Sequence, residues 1–323
     1  MWVVVLVLLV NVWVRVEKWW KSVLNEPYAS VCKKGSKSFF MASLLYPAGV
    51  RKDVFVLYAF ARYSDDLIDE PSTEDVKRRI AKLRLASENM YSDASTGRGI
   101  PDGLWKIVLD MREVITRRKI PEWILNLLLH GFESDVCDAQ YTTLDEVVRY
   151  SLGVASSIGL FCNHLFEEDP TPEQEYRAAC LGVAFQMTNI SRDIWTDKDM
   201  GRRYVPWVKD EDKNPRTAQK DAARLVLLAE QYYEDAWSGV EGLPWQVRLA
   251  VGSALMIYRE IGMQILRQTL YCPRTVVSKK RKVRTVVITL FRLITGQKPK
   301  FRVRKGVSIR ADLESKIKWA KAL

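Results

Sequence analysis

An all-α fold is what this 323-residue sequence predicts, on three observations. Apolar residues recur at helical spacing along most of the chain. No run alternates convincingly enough to read as a strand. Proline, serine and aspartate punctuate the apolar stretches where helices start, and no glycine-rich nucleotide loop or fixed-period repeat interrupts them. The length allows one large domain or two smaller ones, and an apolar content of 48% is ample for a packed core.

Residues 1–14, MWVVVLVLLVNVWV, form an apolar run short of the roughly 20 residues a spanning helix needs. It has no charged leader and no small-residue cleavage site, which argues against a secretory signal. Arg15, Lys18 and Lys21 follow, with Trp19 and Trp20 among them, a flank that suits a membrane interface with the rest of the chain on the cytosolic side. A first helix docked on the core, or the end of a larger membrane domain, reads the same residues otherwise. In CKKGSKSFFMASLL (32–45), Lys33, Lys34, Ser36, Lys37 and Ser38 precede an apolar run, either as an exposed cap or as a helix start suited to phosphate. Helical periodicity continues through 50–69, and Pro71-Ser-Thr-Glu reads as a break before a capped helix. Residues 93–103 are a loop by composition, and 104–117 and 121–133 are helical, with Pro121 at a helix start. Small residues crowd 153–159 (Gly153, Ala155, Ser156, Ser157, Gly159), either for close helix approach or to leave room for a long ligand. Pro170 and Pro172 precede the helix that carries 186–206. Residues 207–217 form a polar loop placed where a lid would lie, and 218–237 and 244–270 return to helix.

Chemistry concentrates in QMTNISRDIWTDKDMGRRYVP (186–206). Asp193 and Asp197 are four apart and share one helix face, with Asn189 and Gln186 extending the stripe. Arg192, Arg202 and Arg203 stand beside them. The same grammar occurs 128 positions upstream in VLYAFARYSDDLIDE (56–70), where Asp65 and Asp69 follow Arg62. One such pair alone reads as a solvated acidic face. Two pairs in apolar and aromatic surroundings, each with arginine, predict facing helices around an oxygen-rich cleft, the setting that Mg²⁺ and phosphate favour.

Composition excludes much else. With two histidines, His130 and His164, histidine-rich zinc sites and His-dependent triads have little material; His130 sits in an apolar run as a core or helix-end residue. Five scattered cysteines without CxxC spacing argue for a reducing compartment and against disulfide or zinc scaffolds. Of the net charge of +11, twelve Lys or Arg lie between Arg274 and Lys305 with no Asp or Glu, so the remainder is near −1. In that stretch basic residues alternate with Val, Ile, Leu and Phe (274–294), either as an amphipathic membrane-surface helix or as a solvated tail. Charge alone makes no nucleic-acid site, and no recognition motif supports one.

Taken in order, SKSF (36–39), YAFARYSDDLIDE (58–70), Tyr150 with GVASSIG (153–159), QMTNISRDIWTDKDMGRRYVP, Tyr232-Tyr233 and RTVVSKKRK (274–282) resemble the head-to-head prenyl synthases, the phytoene and squalene synthases. The resemblance spans roughly residues 28–290 and is nearer the phytoene branch in its N-I-x-R-D and G-R-x-Y-x-P segments. It implies one helical bundle around a deep cavity, with segments at 1–21 (membrane-associating), 22–295 (catalytic) and 296–323 (basic tail). The implied reaction is Mg²⁺- or Mn²⁺-dependent joining of two geranylgeranyl diphosphates through a cyclopropyl intermediate, without NADPH. By the same resemblance Asp65, Asp69, Asn189, Asp193 and Asp197 hold metal. Ser36, Lys37, Ser38, Arg62, Gln186, Arg192, Arg203, Tyr204 and Arg274 meet the substrate, and Tyr150 either steers the carbocation or contacts the diphosphate. A membrane-associated enzyme in contact with carotenoid-pathway enzymes is expected. The alternatives are a squalene or dehydrosqualene synthase using farnesyl diphosphate, or a non-catalytic scaffold homologue. Two positions depart from the family: Gly35 stands where relatives often have histidine, and Ser156-Ser157 where Gly-Thr is usual.

Overall fold

The computed structural model describes residues 18, 21–69, 75–93, 96–136, 140–207, 214–303 and 308–323, with the side chains of Ser38 and Asp69 left out. The expectations placed on residues 1–14 lie outside them, as does the centre of the polar loop at 208–213. Thirteen α-helices and no strand occur among the described residues.

Helical residues 21–24 precede two short helices, α1 (Ala29–Gly35) and α2 (Lys37–Ser43), separated by Ser36, whose hydroxyl accepts the Phe39 amide at 3.2 Å and caps α2. Then come α3 (Ala48–Asp69), α4 (Val76–Met90, capped by Asp75), α5 (Asp102–Arg118), α6 (Glu122–Val136) and α7 (Leu144–Ser151). α7 opens with a capping box between Thr143 and Glu146. It runs into a π-helical segment, Leu152–Ser156, and then α8 (Ser157–Phe166). The longest pair, α9 (Pro172–Asp199) and α10 (Pro215–Gly242), each starts with proline in its first turn after a capping side chain, Thr171 and Asn214. α11 (Trp245–Ile265), α12 (Lys279–Thr295) and α13 (Arg310–Ala320) complete the bundle.

α9 is the central post. It packs along α10, α11, α8 and the π segment. Its inner residues Ala179, Val183, Ala184 and Met187 are fully buried, and burying such side chains contributes about 1–3 kcal/mol apiece. The small residues at 153–159 do both things the sequence left open. A Cβ on Gly153 would stand 2.8 Å from the Gly131 Cα, and one on Gly182 would stand 2.3 Å from the Ser156 Cα, so these glycines bring α6 and α9 against the π segment. Ala155 lines the central cavity, and Gly159 does so while also admitting the Ala178 carbonyl of α9, 2.9 Å from where its Cβ would be.

The stretch 296–323, read from its charge as a tail, ends in a docked helix. Leu313 and Ala320 of α13 are fully buried, and His130 meets Trp319 edge-on at 5.3 Å. No disulfide occurs among the described residues; Cys32, Cys162, Cys180 and Cys272 are free thiols. No helix among the described residues is long and apolar enough to cross a membrane.

Candidate active site

A central cavity of about 440 Å³ is walled by α2, α3, α6, α7, α8, α9, α10 and α11 with the π segment. Most of its lining is apolar, including Phe39, Leu57, Phe132, Ile158, Phe185 and Val251. Its polar lining includes Ser36, Arg62, Asp65, Asp135, Tyr150, Gln186 and Asn189, with Asn163, Gln174 and Arg177 besides; Asp193 and Asp197 are not part of it. A concave apolar space with a few convergent polar groups is the usual form of a ligand site. Six residues named from the sequence therefore meet here although 153 positions separate Ser36 from Asn189.

On α3, Arg62 bonds Asp65 at 3.3 Å and Asp66 through both its Nε, at 3.0 Å, and its Nη2. On α9, the Asn189 amide reaches Gln186 at 3.4 Å, a weak bond that leaves both amides available to a ligand. Arg192 pairs with its neighbour Asp193, Nε to Oδ1 at 3.0 Å. Asp197, one turn on, has its carboxyl pushed up to about 7, first by burial and then by the charge of Asp193. The two carboxylates share one half-buried face and are only partly offset by Arg202 and Arg192. Among the described residues no three His, Cys, Asp or Glu side chains converge as a self-contained metal cage.

The GRRYVP segment folds back beneath α9. Gly201, at φ 78°, takes the left-handed conformation that ends a helix without Cβ strain, and the Arg202 amide donates to the Asp197 carbonyl at 2.9 Å. Gln140 and Tyr141 strap the segment down through Gly201 and Arg203 carbonyls at 3.0 Å each. Asp197, Arg203 and Tyr204 line a second, smaller cavity of about 320 Å³. Arg274 is brought to α9 from the far end of the chain. Its amide donates to the Arg192 carbonyl at 3.3 Å, and Tyr271 Oη donates to the same oxygen at 2.6 Å. Arg274 itself holds φ 55°, an uncommon conformation for a non-glycine residue that persists where the surroundings enforce it. Lys37 is exposed at the start of α2, close enough to Lys282 to lower that lysine's pKa after burial has done so. The side chains of Ser38 and Asp69 lie outside the described residues.

Asp135 was not found from the sequence. Tyr150 donates to its Oδ2 at 3.0 Å and Tyr204 to its Oδ1 at 2.6 Å, and the Tyr150 and Tyr204 rings stack at 4.8 Å with Tyr141 against both. Asp135 and Tyr150 line the main cavity and Tyr204 the smaller one, so this aspartate pins the wall between them. Burial and the Asp135 charge hold both phenols well above their ordinary pKa, hence neutral donors. Tyr258, stacked on Phe185 at 4.2 Å in the cavity lining, was also missed. The Gly35 departure has a local reason: a Cβ there would lie 2.2 Å from the Tyr58 hydroxyl.

Residues 32–282 match the family model described as squalene/phytoene synthase. The chain belongs to that family. It is an enzyme of the prenyltransferase type. It is 33% identical over 259 residues to a 15-cis-phytoene synthase of Enterobacter agglomerans, covering 72% of this chain and 83% of that one. To a bifunctional lycopene cyclase/phytoene synthase of Phaeosphaeria nodorum it is 32% identical over 281 residues, 78% of this chain and 48% of that protein. Among solved structures it is similar to a dehydrosqualene synthase in complex with ligand, with a TM-score of 0.68 at 26% identity, covering 86% of this chain and 99% of that one. The helical bundle around a deep cavity is thus the fold of the family.

Proposed function

We propose that this enzyme is a phytoene synthase of carotenoid biosynthesis, joining two geranylgeranyl diphosphates head to head through a cyclopropyl diphosphate and releasing two diphosphates. The observation that carries the reading is the cavity: a largely apolar chamber whose lining includes the Asp65 carboxylate, Arg62 and the amides of Gln186 and Asn189. Similarity to curated phytoene synthases supports the branch. The donor set fits Mg²⁺ or Mn²⁺. Carboxylates of Asp65, Asp69, Asp193 and Asp197 and the Asn189 amide are hard oxygen ligands, and the raised pKa of Asp197 marks charge that a cation would relieve. Mg²⁺ characteristically takes one or two carboxylates and completes its shell with substrate phosphates and water, so a ready three-ligand cage is not required. Bound there, the ion supplies charge stabilisation for the departing diphosphate.

The chain's own groups do the rest. Arg62, Arg192, Arg203 and Arg274, with Ser36, Lys37 and Ser38, hold diphosphate oxygens. When the allylic C–O bond breaks, the electron pair leaves with the diphosphate and a carbocation remains. The apolar wall keeps water from that cation. The faces of Tyr150, Tyr258 and Phe39 offer it π-density, and Asp135 fixes Tyr150 for that task. Ala155 and Gly159 leave room for the prenyl chains. No step here needs a reductant, so NADPH is not expected.

The similar dehydrosqualene synthase structure keeps a second reading in play, the same chemistry on farnesyl diphosphate. The deciding experiment is a product assay with each diphosphate, with Mg²⁺, Mn²⁺ or chelator, and with or without NADPH. A C40 hydrocarbon from the geranylgeranyl substrate, needing metal and not NADPH, is expected. A C30 product alone would move the enzyme to the squalene or dehydrosqualene branch. Neither product from folded, metal-supplied protein would leave the scaffold reading.

A further inference from the structure

α12 is built the wrong way round for a helix on the outside of a protein. Its inner side is anchored by Thr289, which is fully buried against the Cα of Gly252 on α11, with Leu293 beside it. Its outward side carries Val283, Val287, Leu290, Phe291 and Ile294, each between 43% and 74% exposed. Spaced at i, i+4, i+7, i+8 and i+11, they form one continuous stripe. Monomeric proteins rarely leave such a stripe uncovered. Within this segment every charge is basic, with Arg281 paired to Glu260 of α11 and Lys298 to Glu241 of α10. Lys279 and Lys280 extend the stripe at its start, Arg284 borders it, and Lys298, Lys300 and Arg302 follow the helix, with no acidic residue between Arg274 and Lys305. Thr285, Thr289 and Thr295 turn their hydroxyls back to carbonyls one turn earlier, which leaves the helix surface with few polar demands.

We propose that α12 is a lipid-docking helix, laying its apolar stripe into an anionic phospholipid surface with its lysines and arginines at the headgroups. Charge decides between the candidate occupants. A second copy of the chain would set like-charged, basic surfaces against each other across a two-fold axis. An anionic bilayer accepts the stripe and the charge together. The arrangement also has a consequence for the reaction, and here the inference rests on the function proposed above. α11 alone separates α12 from the chamber: its Val251, Ala254 and Tyr258 line the cavity while Gly252 receives Thr289. Docking by α12 therefore lays the chamber wall along the lipid surface, where a hydrocarbon product would be received.

The test uses the full-length enzyme and sedimentation with vesicles of phosphatidylcholine alone or mixed with phosphatidylglycerol. Binding is expected only to the mixed vesicles, and it should weaken as salt rises. The V287D/F291D variant, whose changes are at exposed positions, should keep its thermal stability and its turnover of detergent-dispersed substrate. It should lose about tenfold or more in partitioning, since both anchors become charged. Hydrogen exchange locates the contact: amides of 283–294 should slow on vesicle addition in the unmodified enzyme and not in the variant. Unchanged partitioning of V287D/F291D would overturn the proposal. So would vesicle binding without slowed exchange in α12, which would place the contact elsewhere, for instance at residues 1–14. Self-association in solution that V287D/F291D abolishes, without vesicle binding, would give the stripe to a second copy. Because the vesicle measurements need no turnover, their outcome is separate from that of the product assay.

Discussion

The two acidic motifs share one spacing and sit in different surroundings. On α3, Arg62 and Asp65 have side chains 42% and 50% exposed, and the arginine is divided between Asp65 and Asp66. On α9, Arg192 and Asp193 are only 26% and 19% exposed, and Asp197 is left with a raised pKa. On α3 a local arginine pairs with Asp65 and Asp66 at an exposed surface. On α9 burial and the charge of Asp193 raise Asp197 even though Arg202 and Arg192 both act to lower it. The difference teaches that a repeated motif need not be a repeated energy: the α9 pair is held against its own repulsion for the sake of what binds there.

Five substitutions would break or sharpen this contrast. The largest effect is on turnover. Asp65→Ala and Asp193→Ala are each expected to lower kcat about a thousandfold, the scale of losing electrostatic stabilisation at a reacting centre, with circular dichroism unchanged. Near-normal turnover in the folded Asp65→Ala/Asp193→Ala protein would sink the metal assignment for both helices. Next comes Arg192→Ala, which strips a mostly buried carboxylate of its partner and is expected to cost about 1–3 kcal/mol by denaturant titration.

Asp197 gives the pH signature. Its folded value is about 7 against 3.8 for the ordinary carboxyl, so between those values the folded protein binds more protons than the unfolded one. Stability of the metal-free enzyme should therefore fall as pH rises through that window. Melting curves in chelator should show this decline, Mg²⁺ should reverse it at the alkaline end, and Asp197→Asn should flatten it while abolishing turnover. A flat metal-free profile in the unmodified enzyme would remove the strain argued for α9. The smallest effect belongs to Arg62→Ala: as a pair in water it should cost under about 1 kcal/mol of stability, and less at high salt, although turnover falls. A loss as large as that of Arg192→Ala would erase the contrast.

What the sequence revealed was local. Pro170 and Pro172 announce the start of α9 and the i, i+4 aspartates its working face, because each signal depends on residues within a turn or two. Asp135 gave no such signal. It is a single acid closing the apolar run of α6, and its meaning comes from Tyr150 and Tyr204, 15 and 69 positions away. Tyr258 looked like any core aromatic until Phe185 met it across the cavity. α13 was hidden for the opposite reason, since its charges suggested solvent. Lys316 is in fact 3% exposed and joined to Asp145 at 2.5 Å, and Arg310 reaches Glu173 on α9. Composition cannot tell a solvated charge from one that has found its partner on a distant helix.

That last helix also sets an order of events during synthesis. α13 touches α6, α7 and α9 through Trp319 on His130, Lys316 on Asp145 and Lys321 on Glu175 at 2.6 Å. Until they emerge from the ribosome, the outer surface of α9 beside Tyr176 lacks its cover, and the nascent bundle carries an open seam. A chain stopped before Arg310 would be released with that seam still unsealed.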